Sequence, residues 1–144
     1  MMTAITVLTV PVFSTLCNEA FRLRREVFII EQNVPPEEEF DADDLSAYHV
    51  VAIKSGDVCG TLRVILAKDY VKIGRVVTGI AWRGQGVASA MLRHAMEEHK
   101  NVRDGRFHLA AQSDKMALYE RFGFKAYDGE FLDVGIPHFN MKNF

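Results

Sequence analysis

A unit in the middle of the chain, made of a strand, a glycine turn, a helix and a second strand, restricts the fold more than any other feature. Residues 72–81 form an apolar run that predicts a buried strand, and Gly84 and Gly86 predict a tight turn after it. An apolar stripe with helical spacing follows in residues 88–99, and residues 107–112 predict the next strand. Two strands joined through a helix form a crossover, so part of the sheet must be parallel.

The segment before this unit predicts a strand, a long helix and a hairpin. Residues 4–10 are β-branched and predict the first strand, and Ser14 or Thr15 can cap the helix that follows. The apolar stripe of this helix consists of Leu16, Ala20, Leu23, Val27 and Ile30. The helix must end before Pro35-Pro36. Residues 49–54 and 61–66 predict two strands joined by the turn Ser55-Gly56-Asp57.

The segment after the unit predicts a short helix and two closing strands. The helix covers residues 114–122 and stops at Gly123. The strands cover residues 124–131 and 138–143, around the turn Gly135-Ile136-Pro137. The element order is β-α-β-β-β-α-β-α-β-β. It predicts an α/β (or α+β) fold with a mixed sheet covered by helices on both faces.

Size and composition narrow the class of protein. A chain of 144 residues has the length of one domain, and we expect residues 1–144 to form it. The net charge of −2, from 17 basic and 19 acidic residues, predicts no attraction to nucleic acid or to anionic membranes. No signal peptide and no apolar run of 18 residues is visible, so we expect a cytoplasmic protein. We therefore expect Cys17 and Cys59 to be reduced structural thiols.

The turn before the central helix has the properties of an anion site. Glycines let the backbone approach a ligand closely, and the first amides of a helix have no partner within it. The helix dipole and Arg83 add positive potential, which together suits a pyrophosphate. A Walker loop would need a Gly-Lys-Ser/Thr ending, and a Rossmann fingerprint would need a third glycine where Ser89 stands. An ordinary strand-to-helix turn remains the alternative.

Two motifs in the sequence resemble those of one enzyme superfamily. Arg83-Gly84-Gln85-Gly86-Val87-Ala88 is similar to motif A of the GNAT N-acetyltransferases, and Leu118-Tyr119-Glu120-Arg121-Phe122-Gly123-Phe124 is similar to their motif B. Other segments resemble the ElaA- or YjcF-like subgroup. They are Arg24-Arg25-Glu26-Val27-Phe28 with Glu31-Gln32, Pro36-Glu37-Glu38-Glu39, Gly74-Arg75-Val76, Ala111-Gln112 and Gly135-Ile136-Pro137-His138.

This resemblance implies a GNAT fold, with a sheet of six or seven strands splayed between the fourth and fifth, and acetyl-CoA in the split. The implied coenzyme-binding residues are Val77, Thr78, Arg83, Gly84, Gln85, Gly86, Val87, Ala88 and Ser113. Val77 and Thr78 would bond the pantetheine arm through their backbone, and an amide there could polarise the thioester carbonyl. Many members carry asparagine where this chain has Ser113, which implies a weaker contact or one made through water.

Acetyl transfer also needs an acid and a base, because a lysine-like amine is mostly protonated at neutral pH. Tyr119 matches the general-acid tyrosine of the superfamily, and a core aromatic is the alternative. The base stays open, and a chain of waters could serve in its place. The candidate bases are Glu31, Glu39, Asp41, His49 and His138.

Several other features predict no separate function. Six carboxylates in residues 37–44 could attract a cationic acceptor, although a solvated loop of repelling charges is the favoured interpretation. Met91, Met96 and Trp82 are expected to pack in the core. His94 and His99 lie five residues apart and share no helical face, so we expect no metal site.

The resemblance implies an acetyltransferase that moves the acetyl group of acetyl-CoA directly to a primary amine of a small molecule or peptide in a ternary complex. Two alternatives stay open. One is a non-catalytic acyl-CoA-binding module that senses or regulates, and the other is an acyltransferase that uses longer acyl donors. Members of the superfamily often dimerise through sheet edges or terminal strands, so a homodimer is a further partner to consider.

Overall fold

The computed structural model describes residues 4–144, and the first three residues of the predicted single domain lie outside them. Within this range one sheet contains seven strands in the order β1-β2-β3-β4-β5-β7-β6. The strands are β1 Thr6–Val10, β2 Tyr48–Lys54, β3 Asp57–Leu66, β4 Val71–Thr78, β5 Phe107–Gln112, β6 Lys125–Asp133 and β7 Ile136–Lys142. Only the β4–β5 pair is parallel among these neighbours, which confirms the mixed sheet.

Four α-helices accompany the sheet in the described chain: α1 Thr15–Arg24, α2 Pro36–Glu39, α3 Val87–Glu98 and α4 Met116–Glu120. Helix α1 covers one face of the sheet and packs on β2, β3 and β4. Helix α3 covers the opposite face over β1 to β4, and α4 packs on β5. Both faces therefore carry helices, as the sequence predicts. The cleft described below lies between β4, which α1 and α3 cover, and β5, on which α4 packs.

Helix α1 begins as predicted but continues differently. The Ser14 hydroxyl caps it by accepting from the Cys17 amide at 3.2 Å. After Arg24 the chain runs on as a π-helix over Arg25–Glu31, here called the π segment. A π turn holds more residues than an α turn, so later side chains rotate off the apolar stripe. Placing Ile30 on the buried stripe was therefore wrong, since 67% of its surface is exposed.

The parallel strands β4 and β5 separate soon after they begin. They pair only at Val71 with Phe107 and at Lys72 with His108. Beyond these two pairs, β4 continues along β3 and β5 continues along β7. The sheet is therefore open as a V toward the carboxyl ends of both strands, which confirms the predicted splay.

Some element bounds differ from the predicted ones. The apolar run 72–81 is longer than its strand, because Ile80–Trp82 forms a 3₁₀ turn. The closing hairpin turns at Val134 and Gly135, which have φ angles of 51° and 77°. The predicted turn Gly135-Ile136-Pro137 was placed too late, since Ile136 already pairs with Asp133 in the hairpin.

The core confirms most of the predicted packing. Met91 is fully buried, and Met96 and Trp82 pack against the same cluster. Cys17 and Cys59 are buried and unpaired with each other. No helix within residues 4–144 is both long enough and apolar enough to cross a bilayer.

Candidate active site

A cleft of about 820 Å³ occupies the split between β4 and β5. The π segment, β4, the loop before α3, β5, α4 and the β6–β7 turn all contribute to its lining. The splay produces this cleft directly, because strands that diverge leave a gap that only side chains from neighbouring elements can enclose.

The predicted anion cradle lies at the mouth of this cleft. Gly84 and Gly86 have φ angles of +77° and +81°, and Gly86 caps the N-terminus of α3. The first helical bond runs from the Ala90 amide to the Gly86 carbonyl at 3.0 Å, so the three preceding amides have no helical partner. A methyl group at either glycine would meet no atom within 4 Å. Open space therefore adjoins both glycines at the start of α3.

Most of the cradle residues line the cleft, and one directs its side chain elsewhere. Arg83, Gly84, Gly86, Val87 and Ala88 all border the cleft. The side chain of Gln85 instead accepts a hydrogen bond from Lys54 and donates one to the Ala81 carbonyl. Gln85, predicted to bind the coenzyme, is thus not part of the cleft lining.

Arg83 is held in a bidentate ion pair with Glu31, at the end of the π segment. Its Nη1 and Nη2 atoms donate to the Glu31 carboxylate at 2.9 Å and 2.6 Å. The hydrogen bond from Arg83 lowers the pKa of the Glu31 carboxyl group below its ordinary value. Both side chains are partly exposed and both line the cleft. The cation expected to bind phosphate is thus occupied by a protein carboxylate.

A second contact beside this ion pair crosses the split. Gln112, the last residue of β5, donates from Nε2 to the Gln32 side-chain oxygen at 2.9 Å. Glu31 and Gln32 are consecutive, so the end of the π segment contacts Arg83 beyond β4 and Gln112 on β5. This part of the chain therefore connects the β4 side of the split to the β5 side.

Strand β4 exposes one edge of its backbone to the cleft. The Gly79 amide donates to the Cys59 carbonyl on β3 at 2.8 Å. Backbone direction alternates along an antiparallel ladder, so Val77 directs its amide and carbonyl toward β3, whereas Thr78 directs them toward the cleft. Both residues line the cleft, and the Val77 side chain packs in the core beside α1.

Tyr119 projects from α4 into the wall of the cleft. Only 7% of its surface is exposed, and its ring packs edge-on against Phe124. Its hydroxyl makes no hydrogen bond to any residue in the range 4–144, and burial raises its pKa to about 12. The phenol therefore keeps its proton at neutral pH and has it available for a ligand.

Ser113 lies beside the cleft, not in its lining. Its hydroxyl donates to the Glu130 carboxylate on β6 at 2.7 Å. Its neighbours Gln112 and Asp114 do line the cleft. The structure thus brings Tyr119 and most of the cradle together and leaves the Ser113 side chain outside the group.

The five candidate bases have different surroundings. Glu31, Glu39, Asp41 and His138 line the cleft, whereas His49 is buried against Phe21 and bonds the Asp44 carbonyl. The three carboxylates are all paired with arginines. His138 bonds the Ile136 carbonyl through Nδ1 at 2.7 Å, so Nδ1 carries a proton and Nε2 of the neutral ring is an acceptor.

The acidic segment is not the solvated loop that the sequence favours, and that interpretation was wrong. Arg24 is 1% exposed and donates to Glu39 at 2.8 Å and to Asp44 at 2.7 Å. Arg63 donates to Asp41 and Asp44 at 2.7 Å and 2.9 Å. Three of the six carboxylates therefore neutralise buried guanidinium groups.

This arginine–carboxylate network was missed from the sequence, although one signal for it was present. Arg63 stands between Leu62 and Val64 in an apolar strand, where a charge must find a partner. Burial opposes ionisation of Asp44, but hydrogen bonds and charges from Arg24 and Arg63 outweigh it and lower the pKa of Asp44 to about 2.

Arg75 extends the network to the cleft. It adopts a left-handed φ of 54° where the β3–β4 register shifts, so β4 bulges beside the split. Its guanidinium donates to the backbone carbonyls of Glu38 and Glu39. The bulge thus ties α2 to the wall of the cleft. Among the residues that the structure describes, no three His, Cys, Asp or Glu side chains are arranged to hold a metal ion.

Comparisons with known proteins agree with this geometry. Residues 14–143 match the family model described as an acetyltransferase (GNAT) domain. The chain is 35% identical to the uncharacterized N-acetyltransferase YjcF of Bacillus subtilis over 127 residues, which cover 85% of this chain and 89% of YjcF. It is 30% identical to the protein ElaA of Escherichia coli over 83% of this chain and 82% of ElaA. An acyl-CoA N-acyltransferase from Pseudomonas aeruginosa superposes with a TM-score of 0.83 at 32% identity, covering 98% and 99% of the two chains.

Proposed function

The chain belongs to the GNAT acetyltransferase family, and on that premise we propose that it transfers the acetyl group of acetyl-CoA directly to a primary amine of a small molecule or peptide. One observation carries this proposal. A helix N-terminus with unpaired amides and a buried tyrosine with an unbonded hydroxyl border the same cleft in a split sheet.

The cradle supplies the binding energy for the coenzyme in this proposal. The amides of Val87, Ala88 and Ser89, together with the positive end of α3, stabilise the diphosphate. Gly84 and Gly86 leave room for it, because a methyl group at either position would occupy that space.

The remaining coenzyme contacts proposed from the sequence are of unequal strength. The cleft-facing backbone groups of Thr78 bond the pantetheine arm, and Val77 supports that strand from the core. Arg83 adds a guanidinium to the diphosphate site. Ser113 reaches the coenzyme only through water, since its hydroxyl is engaged by Glu130.

Transfer proceeds without an acyl-enzyme intermediate. An ammonium acceptor first loses one proton to water, and the neutral amine nitrogen then forms a bond to the acetyl carbon. The carbon–sulfur bond breaks to release the thiolate, and the second amine proton passes to Nε2 of His138 directly or through water. A thiol nucleophile is disfavoured because neither Cys17 nor Cys59 lines the cleft, and burial raises the pKa of Cys17 to about 11. Two buried, unpaired thiols also support a reducing, cytoplasmic location.

Tyr119 acts on the departing sulfur chiefly as a hydrogen-bond donor. Its pKa of about 12 exceeds the value of about 8.5 for a simple thiol, so complete proton transfer to a thiolate is uphill. A donated hydrogen bond still stabilises the negative charge that develops on sulfur. An unbonded hydroxyl of this kind favours an enzyme over a module that only binds acyl-CoA.

Thiol release from acetyl-CoA across a panel of primary amines tests the proposal. We expect release that depends on an amine, with an acetylated amine of matching yield by mass spectrometry. Parallel assays with octanoyl-CoA compare a longer donor. Binding of coenzyme A with no amine-dependent release would instead identify a binding module, and release without any amine would identify a hydrolase.

A further inference from the structure

We propose that coenzyme binding exchanges the partner of Arg83, from the Glu31 carboxylate to the coenzyme diphosphate, and thereby frees Glu31 to hold a cationic acceptor amine. This inference rests on the proposed function. It assigns Glu31 a role in binding the acceptor and gives the two substrates an order.

The geometry of Arg83 carries the first step. The Nη1 and Nη2 atoms of Arg83 both donate to the Glu31 carboxylate, so this pair of donors is already engaged. Arg83 directly precedes the cradle glycines, where a diphosphate would sit in front of the α3 amides. Both Nη atoms of Arg83 are engaged by Glu31 and its Nε donates to the Thr78 carbonyl at 3.4 Å, so a diphosphate that takes the Nη edge must displace Glu31.

The exposure of the pair makes exchange accessible. The side chains of Arg83 and Glu31 are 45% and 35% exposed, so water screens their attraction and the pair is worth little. A diphosphate carries more charge than one carboxylate and gains the helix amides as well. Once the coenzyme is present, Arg83 therefore pairs with the diphosphate in preference to Glu31.

Departure of Arg83 leaves the Glu31 carboxylate facing the cleft without a hydrogen-bonded cation, and the nearby Lys115 lies 3.7 Å from the Asp114 carboxylate. Glu38 and Asp133 also line the cleft, and neither forms an ion pair within residues 4–144. The nearby Arg75 is engaged by Glu39 and Asp41. After exchange the cleft lining presents the carboxylates of Glu31, Glu38 and Asp133 without an ion pair, and these suit an acceptor that carries an ammonium group. The lining also contains Lys72, Lys115 and Arg121.

Two consequences distinguish this role from a structural one. Glu31 weakens coenzyme binding, since its ion pair must break, yet it strengthens binding of the amine. Replacing Glu31 with glutamine should therefore move the two affinities in opposite directions. A residue that merely supports the fold would weaken both.

Calorimetry with coenzyme A on the purified protein tests the exchange. We expect Glu31→Gln to bind coenzyme A about two- to fivefold more tightly than the unmodified protein, the range that exposed ion pairs reach. The same substitution should have no effect in an Arg83→Gln background, where no pair exists to break. Glu19→Gln is the matched control, because it removes another exposed arginine pair, to Arg22, outside the cleft.

Steady-state kinetics supply the second readout. For the amine with the highest turnover in the panel, Glu31→Gln should raise KM at saturating acetyl-CoA. Equal or weaker coenzyme binding by Glu31→Gln, or an unchanged KM for the amine, would overturn the exchange and leave the proposed function standing. No heat with coenzyme A from the unmodified protein would overturn both.

Discussion

Substitution of Tyr119 by phenylalanine removes one hydroxyl and keeps the ring that packs against Phe124. The hydroxyl has no hydrogen-bond partner among residues 4–144, so its loss leaves no group unsatisfied and the fold should keep its stability. A hydrogen bond to a charged atom contributes about 1.5–3 kcal/mol, so losing the one to the departing sulfur should slow the chemical step about 10- to 150-fold.

A single-turnover assay with enzyme in excess over acetyl-CoA measures that step, because product release does not then mask it. Affinity for coenzyme A should be unchanged. Tyr127→Phe is the matched control, since it removes a hydroxyl that bonds His108 outside the cleft lining, and its turnover should stay normal. A loss of less than twofold in Tyr119→Phe would refute a role for this phenol at sulfur.

Four further predictions follow from the site and the core. Gly86→Ala should cost about 1–2 kcal/mol of stability and weaken coenzyme A binding in calorimetry. Gly56→Ala is the control, because it lies at a similar φ in the β2–β3 turn and should cost the same stability while leaving coenzyme A binding intact. His138→Gln should lower kcat about 100-fold with coenzyme affinity unchanged, and an unaffected kcat would exclude it as the base. Gly60→Ala should destabilise the fold by about 1–3 kcal/mol in urea titration, because its methyl group would lie 2.6 Å from Val87. Because the pKa of Asp44 is depressed in the folded state, its contribution to stability is present above about pH 4, and about 1 kcal/mol of it should be lost by pH 3. The measurement is the difference in unfolding free energy between the unmodified protein and Asp44→Asn, which should shrink over this pH range.

The element order and the cradle could be predicted from the sequence because they rest on local rules. Hydrophobic period, cap residues and glycine turns act over a few neighbours, and the structure confirms the strand, turn and helix around Gly84 and Gly86. The splay between β4 and β5 had a different source. No local rule gives it, and it came from resemblance to a family.

What the sequence could not predict is a change of helix type in one place and contacts between residues far apart in the chain in others. Ile30 was misplaced because nothing in the local period shows where an α-helix widens into a π-helix. The ion pairs of Arg63 and Arg83 join segments separated by 22 and 52 positions. A charge within an apolar run signals that a partner exists, but only the folded topology shows which carboxylate it is.

The buried network connects these observations to the choice of acceptor. In Arg24→Ala, Glu39 would keep only Arg75 and Asp44 only Arg63, so each of these two buried carboxylates would lose one of its two arginine partners. Such a loss is costly, and the network therefore holds the acidic segment on the sheet. Arg75 then fixes the backbone of α2 to the bulge in β4, next to the split. The arginines neutralise the carboxylates that hold the wall in place, and they leave Glu38 on the same short helix without an ion pair. Within α2, Glu39 thus serves the fold, whereas its neighbour Glu38 is left to the proposed acceptor. This explains how a wall built on buried ion pairs can still present negative charge to the amine that we propose.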